Sequence, residues 1–486
     1  MYDRILTRNK KFFRDIVKGE YGRRVLYTDV EEITSENILQ VISKCVGDFY
    51  WNRMVINYLW HYYKGDQPIL YRTKVSRDDI INKVVENHAY EFVQFKTGQT
   101  YGEPVQCVSR KDDENINRSV DELNDYLQDA DKHTKDIKSG EWQSATGTSF
   151  KAAQIVKGAD IPFRIVSPSP LNTYIIYSRI TEEPMLAVQE LRDESGKSYS
   201  RCFTSTHQCD IKGGKVMDWE LHAYGSIPIV EYPNNHERVS DIELAIEILD
   251  AINNMQSNRM DGVEQFVQSW VKFVNCSIDE ETFQKMKTNG ALVVKSNNGE
   301  NKADVDIMTQ ELNQTESQVA KQDLLDNALT ILAIPNKQGN TGGDSQGAVE
   351  LRNGWDFSKT RAKLKDPLVK SSEKRLISVV LNILRIYKED LKLTLRDFDV
   401  QINHSPTDNM VVKCQSLQYL LECGIHPLVA IRTVGLWGDA EKVFLLSKPY
   451  LDTKYQTIEE QQEQQARQLL DGFQKKTGGI GDEGDL

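Results

Sequence analysis

Apolar positions along this chain follow two rhythms. A helical spacing runs over Ser35 to Tyr63, from Ser240 to about Trp270, over Gln314 to Ile334, and from about Gly347 to Tyr387 with an interruption at Asp366-Pro367. Thr34 or Ser35 is placed to cap the first of these helices, and Ser240-Asp241-Ile242-Glu243 reads as a capping box for the second. Between them, IPFRIVSPSPLNTYIIYSR, EPMLAVQELRDES, KSYSRCFTST and WELHAYGSIPIVEY carry short or alternating apolar runs broken by Pro, Gly and Ser, which predict a small antiparallel sheet. Arg110 to Gly147 is charged and polar, with DELNDYLQDADKH read as a surface helix.

The helix from Ser240 should be about 45 Å long at 1.5 Å per residue. Its first half carries an apolar stripe (Ile242, Ala245, Ile246, Leu249, Ile252), whereas NNMQSNRMDG in its second half is polar and must meet water or a polar neighbour. Residues 271–315 then read as a small α/β insertion, with VKFVNCSI and GALVVKS as strands around a DEETFQKMKTNG helix. At about 45 residues such a unit rarely stands alone. Pro367 should kink the later helix or begin a new segment. LTLRDFDVQINHSP reads as a strand, and Asp408 to Leu451 as helical with breaks at Gly424, Pro427 and Gly438. The Gln/Glu-rich and then glycine-rich acidic tail is expected to be disordered.

The sharpest punctuation is ILAIPNKQGNTGGDSQGAVEL, Ile331 to Leu351. Helical sequence stops at Pro335, and Gly339, Gly342, Gly343 and Gly347 alternate with Asn340, Thr341, Asp344 and Ser345, so the segment reads as a flexible loop between helices. It lacks G-x-x-x-x-G-K-[ST] and follows a helix, which excludes a phosphate loop. Gly196-Lys197-Ser198 fails the same test because Leu191 stands where the first glycine is needed.

Composition narrows the class. The 486 residues allow about two to four domains, since single cores stop growing near about 250–300 residues. With 39% hydrophobic and 27% charged residues the chain reads as soluble and globular, and its longest apolar run, Leu376 to Ile386, is about half of a membrane span. The basic N-terminus lacks the apolar block of a secretory signal and is expected to stay in the protein. Seven scattered cysteines without C-x-x-C fit a reducing compartment. Cys202, His207 and Cys209 form the one close cluster, without a fourth zinc ligand, so no metal is expected.

Several segments together resemble the portal proteins of tailed bacteriophages, in particular the branch typical of long-tailed phages of Gram-positive hosts. They are YYKGDQPIL at Tyr62 to Leu70, TYGEPVQ at Thr100 to Gln106, and above all GSIPIVEYPNNHERVSDIELAIEILDAINNMQSNRMDGVEQF at Gly225 to Phe266. SQGAVELRNG at Ser345 to Gly354 is similar to the small-residue motif that opens the helix after the family's tunnel loop. Where the family often has Ser-Gly-Val-Ala-Leu, this chain has Gln346-Gly347-Ala348-Val349-Glu350-Leu351.

The resemblance implies an α+β portal fold assembled as a ring, usually of twelve subunits, around a channel for double-stranded DNA at one capsid vertex. Residues 1–239 and 392–407 would be wing, 240–270 and 316–334 the stem helices, and 271–315 the clip. Residues 335–346 would be the tunnel loop, 347–391 a long kinked helix, 408–455 the crown and 456–486 a tail. Implied partners are the terminase large subunit, capsid and scaffold proteins and a head-tail adaptor, with no membrane. No cofactor is implied, and ATP hydrolysis falls to a separate motor.

Asn336, Lys337, Gln338, Asn340 and Thr341 are the residues expected to approach the DNA backbone, because phosphate contact needs donors and carries no sequence information. Lys285, Lys287, Lys295 and Lys302 are candidate clip contacts, although ordinary surface charge explains any one of them as well. The net charge of −12 argues against tight nonspecific binding over the whole surface and suits a channel in which DNA slides. Two other classes stay open. A nuclease or transferase has its best carboxylate pair in Asp304-x-Asp306, with no nearby His. LLECGIHPLVAIRTVGL loosely resembles a helix-turn-helix, with Arg432 as its one strong base reader.

Overall fold

The computed structural model describes residues 12, 17–74, 79–111, 113–267, 270–274, 281, 284, 304–308, 314–336, 354–387, 393–404, 410–437 and 440–454. Strand β1 (Leu26–Thr28) leads into helix α1 (Ile38–Tyr63), a 3-10 turn (Pro68–Tyr71), α2 (His88–Tyr101), β2 (Gln106–Ser109), α3 (Glu114–Asp129) and α4 (Lys132–Thr146). The strands β3 (Thr148–Ile155), β4 (Phe163–Val166), β5 (Thr173–Ser178), β6 (Pro184–Arg192), β7 (Ser198–Phe203), β8 (His207–Lys212), β9 (Lys215–Leu221) and β10 (Ile229–Pro233) follow. Then come α5 (Ile246–Val267), β11 (Trp270–Val274), β12 (Asp304–Met308), α6 (Gln314–Ile331), α7 (Trp355–Lys363) and α8 (Asp366–Tyr387). The chain closes with β13 (Phe398–Gln401), α9 (Met410–Glu422), α10 (Pro427–Val434) and α11 (Ala440–Lys454). The fold is α+β, as expected.

The single antiparallel sheet expected from the sequence is in fact divided. One sheet has the order β1-β5-β6-β7-β8-β9 and another the order β10-β3-β4, while β13 pairs with β2 and β11 with β12. β1 runs parallel to β5, which the chain allows because the connection through helices α1 to α4 is long enough for a crossover. Gly196-Lys197-Ser198 forms the β6–β7 turn: the Gly196 N–H donates to the Asp193 carbonyl at 2.9 Å and the Lys197 N–H to Asp193 Oδ1 at 2.9 Å.

Helix α1 begins at Ile38 with Asn37, and neither Thr34 nor Ser35, at the N-cap. The Asn37 side chain turns back instead, accepting from the Thr34 N–H at 2.8 Å. Pro367 opens α8, so the long helix is two helices meeting at Leu364 and Lys365.

The polar stretch ending at Gly147 hides a second, buried helix. In α4, Lys132, Asp136, Ser139, Trp142 and Gln143 are all buried. Lys132 Nζ binds Asp136 at 2.5 Å and Glu373 at 3.1 Å, and Lys151 Nζ on β3 binds the same two carboxylates. Two ammonium groups and two carboxylates thus form a closed, net-neutral square, with the Tyr232 ring 4.0 Å from Lys151 Nζ. Burial opposes ionisation of Glu373, but Lys132 and Lys151 override it and hold the carboxyl at about 2.

Candidate functional site

Helices α5 and α6 form an antiparallel pair whose far ends carry the β11–β12 ladder, Trp270 facing Met308 and Val274 facing Asp304. Asp304 and Asp306 lie on that ladder, Asp306 opposite Lys272. The chain leaves the body on one helix and returns on the other, with α5 about 33 Å and α6 about 27 Å long at 1.5 Å per residue.

The capping box forms, but the helix it starts is delayed. The Glu243 carboxylate accepts from the Ser240 N–H at 3.0 Å, and Ser240 Oγ accepts from the Ile242 N–H at 3.2 Å. Glu243 also receives buried Arg23 Nη2 at 2.5 Å, and Ser240 Oγ donates to the Ala145 carbonyl at 2.8 Å. These tertiary bonds hold residues 241–245 as tight turns, and α5 proper begins at Ile246. Its apolar stripe is buried as expected: Ile242, Ala245, Ile246, Leu249 and Ile252 pack with α1, α2 and the end of α6.

The polar second half meets a neighbour made of main chain. Asn253 Oδ1 accepts from the Glu86 N–H at 2.8 Å, Ser257 Oγ from the Val84 N–H at 3.0 Å, and Asp261 Oδ1 from the Asn82 N–H at 2.6 Å. The spacing is physical. One i to i+4 step along a helix advances about 6 Å, and two residues of extended chain advance about 6.6 Å, so every fourth helix residue meets every second strap residue. Asp261 also pairs with Lys74 and, at 3.1 Å, with Arg72. Asn254 and Asn258 stay exposed on α5, Asn258 accepting from Arg72. The sequence reading noted this polarity but missed the strap. Its signal was Asn253, Ser257 and Asp261 at strict four-residue spacing.

Helix α6 ends in a tight cap directly before the glycine-rich segment. The Ile334 N–H donates to the Leu329 carbonyl at 2.9 Å and the Ala333 N–H to the Thr330 carbonyl at 3.1 Å, with Ala333 at φ 52°. This is a Schellman arrangement in which Ile334 packs back near Leu329. Asn336 Nδ2 then donates to Asp326 Oδ1 at 3.0 Å, returning its side chain to the helix. Lys337, Gln338, Asn340 and Thr341 lie outside the described residues, as do Lys285, Lys287, Lys295 and Lys302.

Beneath the helix end, Ile331 and Leu332 share a cavity of about 490 Å³ with Lys96, Asp241, Arg361 and Lys365. Burial pulls Lys365 down to about 8, with Lys96 adding to the effect against Asp241. Burial also lowers Lys96, with Arg361 contributing. The Asp241 carboxylate is held by Ser144 Oγ at 2.7 Å and Asn234 Nδ2 at 3.1 Å.

Higher up, α9 and α10 do form a helix-turn-helix, but Arg432 Nη2 is paired with Glu441 at 2.6 Å. Among the described residues no cluster of three or more His, Cys, Asp or Glu side chains is placed to hold a metal, and no helix is long and apolar enough to cross a membrane.

A family model described as phage portal protein, SPP1 Gp6-like, matches residues 53–415, a span that contains both helices, the strap and the capped loop entrance. The chain belongs to the phage portal protein family. That family is structural and not a family of enzymes. No curated protein matches the chain. Solved structures similar to the portal chain include the neck of an empty GTA particle computed with C6 symmetry, at 11% identity and a TM-score of 0.44, covering 72% of this chain and 90% of that one. The virion of a native gene transfer agent particle (TM-score 0.42) and the neck of the native particle computed with C12 symmetry (0.43) match at the same 11% identity and the same coverage.

Proposed function

We propose that this portal protein assembles as a ring, with twelve subunits as the expected number, whose central channel admits double-stranded DNA into a capsid and later releases it. The observation that carries the reading is the α5–α6 hairpin. It is a helical pair with a small β head at one end and a capped loop entrance at the other, inside the span matched by the portal family. In this reading α5 and α6 are the stem and β11–β12 belong to the clip. The two sheets with α1 to α4 are the wing, α7 and α8 cross it, and α9 to α11 are the crown.

The segment after Asn336 is the tunnel loop, with Lys337, Gln338, Asn340 and Thr341 as donors toward phosphates. The cations Lys96, Arg361 and Lys365 near its base favour polyanion passage. The terminase large subunit, capsid and scaffold proteins and a head-tail adaptor are the partners, at the portal vertex of the virion after assembly in the host cytoplasm. The chain itself performs no chemistry in this role.

Negative-stain electron microscopy together with solution mass tests this directly. Rings with a central hole are expected. A compact monomer or dimer, persisting when scaffold and capsid proteins are supplied, would overturn the reading. Deleting residues around Lys337 is expected to abolish genome packaging while leaving rings intact, and a divalent-cation-dependent cleavage assay is expected to show no nuclease activity.

A further inference from the structure

The outer part of the six-stranded sheet carries a pair of thiols that DNA passage does not use. Cys202 on β7 and Cys209 on β8 are direct cross-strand partners, so their side chains leave the same face of the sheet. Both are free, and they are 0% and 3% exposed. Facing residues of an antiparallel pair have Cα atoms about 4.5 or about 5.5 Å apart, according to the hydrogen-bond phase. Both separations lie within the roughly 4.4–6.8 Å that a disulfide bridges.

Two features make this pair unlike the other buried thiols. The β8–β9 register slips between Gln208 and Asp210, which leaves Cys209 without a partner on β9 and loosens the ladder beside it. The opposite face of the same strand, through Gln208 and Asp210, lines an open cavity of about 600 Å³ between the two sheets, so β8 is not close-packed on that side. Because β9 is the edge strand, opening it breaks one ladder only. Cys45, in the same apolar cluster, faces the Tyr27 carbonyl at 3.5 Å, and Cys107 lies in a different core. The facing thiols raise Cys202, with burial adding, and lower Cys209 as a pair, and the register slip lies at Cys209, on the strand nearer the sheet's edge.

We propose that Cys202 and Cys209 form a covalent modification site, which hydrogen peroxide converts into an intrachain disulfide joining β7 to β8. The Cys209 thiolate attacks one peroxide oxygen, the O–O bond breaks, and the released hydroxide takes up a proton as water, leaving a sulfenic acid. The Cys202 sulfur then attacks that sulfenic sulfur and loses its proton, and the hydroxyl leaves as a second water. One peroxide is reduced by two electrons and two thiols become one disulfide.

The test uses the full chain carrying Cys276→Ser, Cys414→Ser and Cys423→Ser, which removes Cys276, outside the described residues, and the two thiols exposed among the described ones, so that copies are not cross-linked. After peroxide treatment and trypsin digestion without reduction, the peptide from Cys202 to Lys212 carries both cysteines. It is expected to be lighter by two hydrogens and closed to alkylation until a dithiol is added. Amide exchange in β7 and β8 is expected to slow by at least about tenfold on oxidation and to recover on reduction. In Cys202→Ser, checked for native circular dichroism, a dimedone adduct is expected on Cys209. The proposal is overturned if the peptide keeps two alkylatable thiols at a peroxide dose that consumes Cys414 and Cys423 in the parent protein, if Cys209 passes to sulfinic acid without a disulfide, or if Cys45 takes the dimedone.

Discussion

Ala333 holds a positive φ of 52° at the end of α6, a position where glycine costs nothing and a Cβ does. Ala333→Gly is therefore expected to stabilise the fold by about 0.5–1 kcal/mol, read as a rise in the urea midpoint. Asp250 is strained in another way. Its carboxyl accepts from Tyr62 Oη at 2.9 Å on the buried side of α5, and burial, with Glu247 adding, raises it from 3.8 to about 7. A carboxyl with a raised folded pKa holds its proton longer in the native state than in the unfolded one. Its contribution is intact below about 3.8 and is lost as pH rises toward about 7. The melting temperature is thus expected to fall between about pH 3.8 and about 7 in the parent protein and to be flatter in Asp250→Asn, which keeps an acceptor for Tyr62; parallel pH profiles for the two proteins would refute the assignment. The capping box at Ser240 was legible because it is local chemistry at fixed spacing. The cost at Ala333 was not, since only the backbone angle reveals it.

At the scale of elements, the strap along α5 matters most. Ser257→Ala leaves the Val84 N–H without its acceptor and is expected to cost about 1–3 kcal/mol, whereas Asn254→Ala on the exposed side should be near neutral. Chemical denaturation of the two variants side by side distinguishes them. The strap escaped the sequence reading because its recognised groups are main-chain N–H groups, which no side-chain rhythm records. Helix α4 escaped for the opposite reason. Lys132 and Asp136 look like solvated charge in one dimension, and their remaining partners, Lys151 and Glu373, arrive from β3 and α8. The strands β4 to β7, β9 and β10 were legible through alternation, but their division into two sheets was not, because pairing depends on partners distant in sequence.

At the scale of the whole molecule, the buried square of Lys132, Asp136, Lys151 and Glu373 ties α4 and β3, neighbours in the chain, to α8, where Glu373 lies 222 residues beyond Lys151. Lys151→Met leaves two carboxylates facing one ammonium group and is expected to cost about 3–5 kcal/mol, seen as a large drop in melting temperature or as insoluble protein. Glu373 has a depressed folded pKa, so its stabilisation is present above about 4.5 and is lost as pH falls toward about 2. Acid unfolding in that window is the corresponding readout. The strap between the body and α5 also has a mechanical meaning. Its bonds at Asn253, Ser257 and Asp261 lie in a row along the helix axis. A load directed along that axis strains all three together, in shear, while a load that swings the hairpin outward peels them one after another. The molecule is therefore stiff to thrust along the hairpin and compliant to its tilt.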